Sequence, residues 1–78
     1  MAQGARELAI IARNIERPGV LHQLTRVIME HGANICYVDM VERDESAASL
    51  YFELSDVASD DDLVRDLSSL EVVIEVTR

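Results

Sequence analysis

The sequence has no lysine and no tryptophan, and only one cysteine, one proline, three glycines, one phenylalanine and two tyrosines in 78 residues. A lone Cys36 cannot close an internal disulfide, and no Cys/His spacing suits a structural zinc, so neither device supports this small chain. A domain of this size buries only about 60% of the surface its unfolded chain exposes, which leaves association between copies as the remaining support. A single cysteine fits a reducing compartment, and a cytoplasmic location is expected. No apolar run approaches the roughly 20 residues that span a bilayer, and Met1 to Glu7 lacks the apolar stretch of a secretory signal. Positive charge is scarce: seven arginines stand against fifteen acidic residues, a formal net charge of −8. That balance opposes phosphate backbones and anionic lipid, so neither nucleic acid nor a membrane is expected as a partner.

What remains is periodic. Leu8 to Asn14 alternates apolar residues with the two-residue period of a strand. Pro18 interrupts it and is expected in the first turn of a helix. Val20, Leu21, Leu24, Val27, Ile28 and His31 then recur at helical steps on one face, with Gln23, Arg26 and Glu30 on the other. Gly32 marks the C′ position, so the helix is expected to end near His31. A second strand follows from about Ile35 to Glu42, then a hairpin connection at Arg43 to Ser46. The third strand runs from Ala48 to Leu54, with Leu50, Phe52 and Leu54 inward and Ser49, Tyr51 and Glu53 on a polar face. Ser59 and Asp62 resemble a capping box, with Asp60 and Asp61 adding favourable negative charge, so a second helix is expected from Asp60 with Leu63, Leu67 and Leu70 buried. Val72, Ile74 and Val76 alternate in a final strand.

The order is βαββαβ, which predicts an α+β, ferredoxin-like domain: a four-stranded antiparallel sheet with both helices on one face. Residues 1–78 are read as one domain with its core in 8–77 and a flexible lead-in over 1–7. The last strand nearly ends the chain, which predicts a stand-alone module or a domain cut from a longer protein. Ala9, Ile11 and Val73 are expected on the sheet face away from the helices, and the second strand is apolar on both faces through Ile35, Tyr37, Val38, Met40 and Val41. Apolar surface of this kind marks an interface, so a homodimer or higher assembly is expected.

The segment Asn14-Ile15-Glu16-Arg17-Pro18-Gly19-Val20-Leu21 joins the first strand to the first helix. A helix start with a glycine beside it offers free amides to a carboxylate or phosphate, although a Pro-Gly pair also serves simply as an efficient helix start. Arg17-Pro18-Gly19-Val20-Leu21, followed by Gly32-Ala33-Asn34-Ile35 after the helix, resembles the ACT family over essentially Leu8 to Thr77. The resemblance implies a non-catalytic regulatory domain that binds an amino acid or related small carboxylate between copies, without a cofactor or metal. By that match the ligand-binding residues are Asn14, Glu16, Arg17, Pro18, Gly19, Val20, Leu21, Asn34 and Ile35. Asn34 comes from the same or a neighbouring copy, and a turn role for it is compatible. Serine-binding members carry an amide two residues before the proline, where this chain has Glu16, which counts against L-serine. The alternative is an association module that dimerises without a ligand.

Other chemistry finds little support. His22 falls on the solvent side of the first helix and His31 near its C-terminus, where a structural role is expected. Asp60-Asp61-Asp62 lacks EF-hand spacing and reads as dipole partners. Cys36 has no neighbouring His/Asp pattern that would make it a nucleophile. The same topology serves RNA-recognition domains, metal chaperones and acylphosphatases. The first needs open-face aromatics on a basic surface and the second a Cys-x-x-Cys pair. The third needs an arginine-bearing phosphate loop, for which Arg13 or Arg17 is available but Glu16 is unfavourable. No catalytic residue and no enzymatic activity are expected.

Overall fold

The computed structural model describes residues 7–78, in the order β1 (Glu7–Ile15), α1 (Val20–Glu30), β2 (Asn34–Arg43), β3 (Ala47–Ser55), α2 (Asp60–Ser68) and β4 (Val73–Thr77). The lead-in expected over 1–7 lies outside the described residues except for Glu7, which already opens β1. The strands form one antiparallel sheet in the order β2-β3-β1-β4, the ferredoxin-like arrangement expected from the alternating periods.

The core forms where the two-residue period of the central strands meets the helical stripes. Leu8, Ile10 and Ala12 of β1 and Leu50, Phe52 and Leu54 of β3 are buried with Leu24 and Ile28 of α1 and Leu63 and Leu67 of α2. Fully burying one such large side chain contributes about 1.5–3 kcal/mol. Gly32 is left-handed at φ 76° and ends α1 in the expected way. His31 stands at the C-terminus of α1, and its Nε2 lies 2.7 Å from an Asp66 carboxylate oxygen, tying α1 to α2.

Four local expectations are corrected. Pro18 lies in the turn before α1 rather than in its first turn, because left-handed Gly19 (φ 87°) is the residue that starts the helix. Leu21 does not join the buried stripe: 47% of it is exposed. Arg43 belongs to β2, opposite Ala48, which shortens the hairpin connection to Asp44 through Ser46. In β4 the faces are exchanged, with Val73 buried and Ile74 56% exposed. The cause is a bulge: β1 residues Arg13 and Asn14 face Glu75 and Val73, so Ile74 is the extra residue and the alternation changes phase across it.

Strand β2 is an edge, paired only with β3, and bulges at Cys36 and Val41 interrupt its register. Tyr37, Val38, Met40 and Val41 are all exposed along it. On the open face Ile11 is exposed, and the Tyr37 and Tyr51 rings meet edge to face with centroids 6.1 Å apart.

Candidate functional site

The inward face of β1 reads Leu8, Ile10, Ala12, Asn14, so the alternation that builds the core delivers a polar side chain to its last position. Asn14 is only 2% exposed. Its amide nitrogen donates to the Ala12 carbonyl at 3.1 Å, while its amide oxygen accepts from no described donor. A buried polar group of this kind is the informative exception in a core.

Beyond Asn14 the chain turns through Glu16 to Gly19. The Ile15 amide donates to the Val72 carbonyl at 2.8 Å and the Glu16 amide to the Ser46 carbonyl at 3.0 Å, so the turn is fastened both to the approach to β4 and to the β2–β3 connection. Gly19 then takes a conformation that L side chains rarely adopt, and α1 begins without a side-chain cap and without an acidic residue in its first turn. The Val20 amide makes a long 3.4 Å bond to the Arg17 carbonyl and the Gln23 amide reaches the Gly19 carbonyl, leaving the Leu21 and His22 amides without a described acceptor. These are the orphan donors of a helix start, carrying the positive end of its dipole.

Asn14, Glu16, Arg17, Gly19, Val20 and Leu21 line one depression of about 170 Å³, closed on its far side by Met40, Ala48 and Leu50. At about 30 Å³ per water this is room for five or six waters, the scale of a small metabolite. Pro18 is exposed in the turn beside it. Asn34 and Ile35 are elsewhere. Asn14 pairs with Ala48 whereas Asn34 pairs with Ser55, and those partners stand seven positions apart along β3, about 23 Å at ~3.3 Å per residue. Asn34 therefore cannot reach the depression from its own chain; its side chain lies within 3.5 Å of Ser55 Oγ, and Ile35 packs on the core.

The Glu16 carboxylate at the lip has a cationic partner from a distant strand. The Arg43 Nε lies 2.6 Å from a Glu16 carboxylate oxygen, joining the end of β2 to the turn. Arg43, Met40, Ala48 and Leu50 are not among the residues that the sequence pattern assigns to the site. Met40 and Leu50 face one another across β2 and β3 with Ala48 two residues beyond, a pairing visible in the alternation once the strands are matched.

A larger depression of about 410 Å³ lies on the open sheet face, bordered by Glu7, Ala9, Cys36, Tyr51 and Glu53. Its acids have no arginine among the lining residues, and the Tyr51 hydroxyl already donates to Glu53 at 2.6 Å, which holds the phenol above its ordinary pKa. Cys36 is exposed, its thiol donating to Ser55 Oγ at 3.4 Å. Among the described residues no three metal-ligating side chains stand together, and no helix is long and apolar enough to cross a membrane.

The βαββαβ order and the four-stranded antiparallel sheet define a ferredoxin-like domain, and the chain belongs to the ACT domain family, whose model matches residues 4–78. The ACT domain from GTP pyrophosphokinase of Chlorobium tepidum superposes with a TM-score of 0.75 at 19% identity, covering 95% of this chain and 97% of that one. The C-terminal domain of the MgtC protein from Mycobacterium tuberculosis gives 0.72 at 14% identity, covering 97% and 87%. A homoserine dehydrogenase from Thiobacillus denitrificans gives 0.68 at 20% identity, covering 94% of this chain and 17% of that one. No curated protein matches the sequence. ACT domains are regulatory rather than catalytic and occur in metabolic enzymes such as the pyrophosphokinase and dehydrogenase just named.

Proposed function

We propose that this domain is a non-catalytic regulatory module that binds an amino acid or related small carboxylate in the depression under the start of α1, and that the ligand bridges two copies. The observation that carries this reading is Asn14, a core-position amide whose oxygen accepts from no described donor. The unpartnered Leu21 and His22 amides beside it suit a carboxylate, and family membership supports a regulatory role. Because Asn34 is remote within one chain, any part it plays comes from a second copy, and the exposed apolar β2 supplies a surface for one. An exposed unpaired Cys36 suits a reducing, cytoplasmic setting, and the module serves either alone or as the regulatory part of a longer metabolic protein.

The test is an NMR titration of the pure chain with the proteinogenic amino acids and small carboxylates, run beside thermal-shift and light-scattering measurements. Binding is expected to move amides of Asn14 to Leu21, raise the melting temperature and favour the dimer by mass action. Gly19→Val is expected to abolish the response: an added Cβ meets nothing in its own chain, so it projects into open space on the ligand's approach, besides straining the backbone. If no compound moves those amides while light scattering still reports a dimer, the domain is an association module. The exposed residues Tyr37, Val38, Met40 and Val41 favour that second reading.

A further inference from the structure

The charges around the depression do not match the chain that carries them. The protein is acidic at −8, yet the depression is lined by one carboxylate, Glu16, which Arg43 neutralises from outside, and one guanidinium, Arg17. Arg13, Arg26, Arg43, Arg65 and Arg78 each have an acidic partner, so Arg17 is the one described arginine without an ion pair. With acids outnumbering bases about two to one, an arginine left unpaired at the edge of a hollow is a cation held available.

Glu16 is the opposite case. Its side chain is 29% exposed, and one carboxylate oxygen already receives the Arg43 Nε at 2.6 Å, a short charge-assisted hydrogen bond. An incoming ammonium meets in Glu16 a carboxylate whose charge Arg43 already offsets, whereas an incoming carboxylate meets Arg17 and the free first-turn amides, with the repulsion of Glu16 relieved by Arg43. No acid in the first turn of α1 opposes it. An ammonium still has one neutral acceptor nearby, the amide oxygen of Asn14. Between these polar ends Val20, Leu21, Met40 and Leu50 form a wall suited to methylene groups.

From this arrangement, and resting on the ligand reading of the depression given above, we infer that the Glu16–Arg43 pair sets the net charge of the ligand: the site takes a short dicarboxylate, and among amino acids an acidic one, in preference to neutral amino acids. Arg43 is a specificity-determining residue. It cancels the carboxylate that would otherwise recruit a neutral zwitterion and repel an acidic ligand, leaving Arg17 as the net charge at the depression. The depression, about 170 Å³, has room for a chain of four or five carbons.

Calorimetry and NMR titration of the full chain with L-aspartate, L-glutamate, succinate, L-serine and L-alanine separate the outcomes. The acidic compounds are expected to bind at least about tenfold more tightly than serine or alanine, with an advantage that shrinks as salt is raised. One charged hydrogen bond corresponds to roughly ten- to a hundredfold in affinity, so Arg43→Gln is expected to lower acidic-ligand affinity by that factor. The same change frees Glu16 and is expected to improve binding of the neutral compounds. Glu16→Gln is expected to leave acidic ligands bound and weaken the neutral ones further, and Arg43→Lys to restore part of the acidic preference. Serine or alanine binding as tightly as aspartate, or Arg43→Gln leaving aspartate affinity unchanged, would overturn the inference while leaving the ligand reading intact. Movement of no amide between Asn14 and Leu21 by any of the five would remove the ligand reading, and this inference with it.

Discussion

At the start of α2, Ser59 is extended and its hydroxyl accepts from the Asp62 amide at 3.2 Å, with Asp60, Asp61 and Asp62 all in the first turn. At the start of α1, Gly19 is left-handed, no side chain caps the helix and no acid lies in the first turn. Even the reciprocal half of the capping box is absent in α2, because the Asp62 carboxylate turns to Arg65 at 3.1 Å, yet the dipole there is met three times over. One helix start is closed by its own sequence and the other stands open above a hollow. Helices of about ten residues in water need such local support or tertiary packing. α1 relies on the second, burying Val20, Leu24 and Ile28 where α2 buries Leu63 and Leu67.

The strongest way to break the contrast is to remove the packing that lets α1 dispense with a cap. Leu24→Ala, at a fully buried position, is expected to destabilise the fold by about 2–5 kcal/mol. In a domain whose whole stability is on the order of 5–15 kcal/mol, much of the protein should then be unfolded at modest denaturant. A denaturant midpoint within error of wild type would show that α1 is held by something other than its stripe. A smaller change makes α2 resemble α1: Ser59→Ala removes the cap and is expected to cost about 1 kcal/mol, read as a lower melting temperature. No loss would mean that the aspartates alone satisfy that end.

The smallest effect sharpens the comparison through pH. Asp44 accepts from the Ser46 and Ala47 amides at 2.9 and 2.8 Å, and these bonds hold its carboxyl below the ordinary aspartate range. A folded-state pKa below the unfolded one gives stability that is present above about pH 4 and lost as pH falls through the depressed value. Ser46 also accepts from the Glu16 amide, so acid should loosen the start of α1 through this connection. Amide exchange measured down a pH series is expected to rise at Ser46, Ala47 and Glu16 and to flatten in Asp44→Asn. Equal acid sensitivity in the variant would refute the link.

Element order was legible because two periods alternate cleanly along the chain, and the hydrophobic stripes of β1, β3 and α2 carry it directly into the sheet. The turn at Asn14 to Leu21 was legible as a location because proline and glycine interrupt that pattern there. What was not legible depends on partners distant in sequence. Glu16 looks free until β2 extends through Arg43 and returns its guanidinium across the fold. Val73 and Ile74 exchange faces only because a bulge against β1 inserts a residue, and nothing local to β4 announces the slip. Asn34 stands beside a plausible motif, yet strand direction carries it to the far end of the sheet.

The two bulges of β2 bear on how this chain behaves when concentrated. Between Cys36 and Val41 the regular ladder covers only Tyr37 to Met40, about 13 Å of strand. The opposite edge, β4, is five residues long and carries its own bulge. Open-ended growth into fibrils needs long, flat edges that template one another, and kinked, short ones resist it. The exposed apolar strip is thus poorly shaped to template open-ended growth, so surface that would favour contact does not by itself make the molecule a polymer.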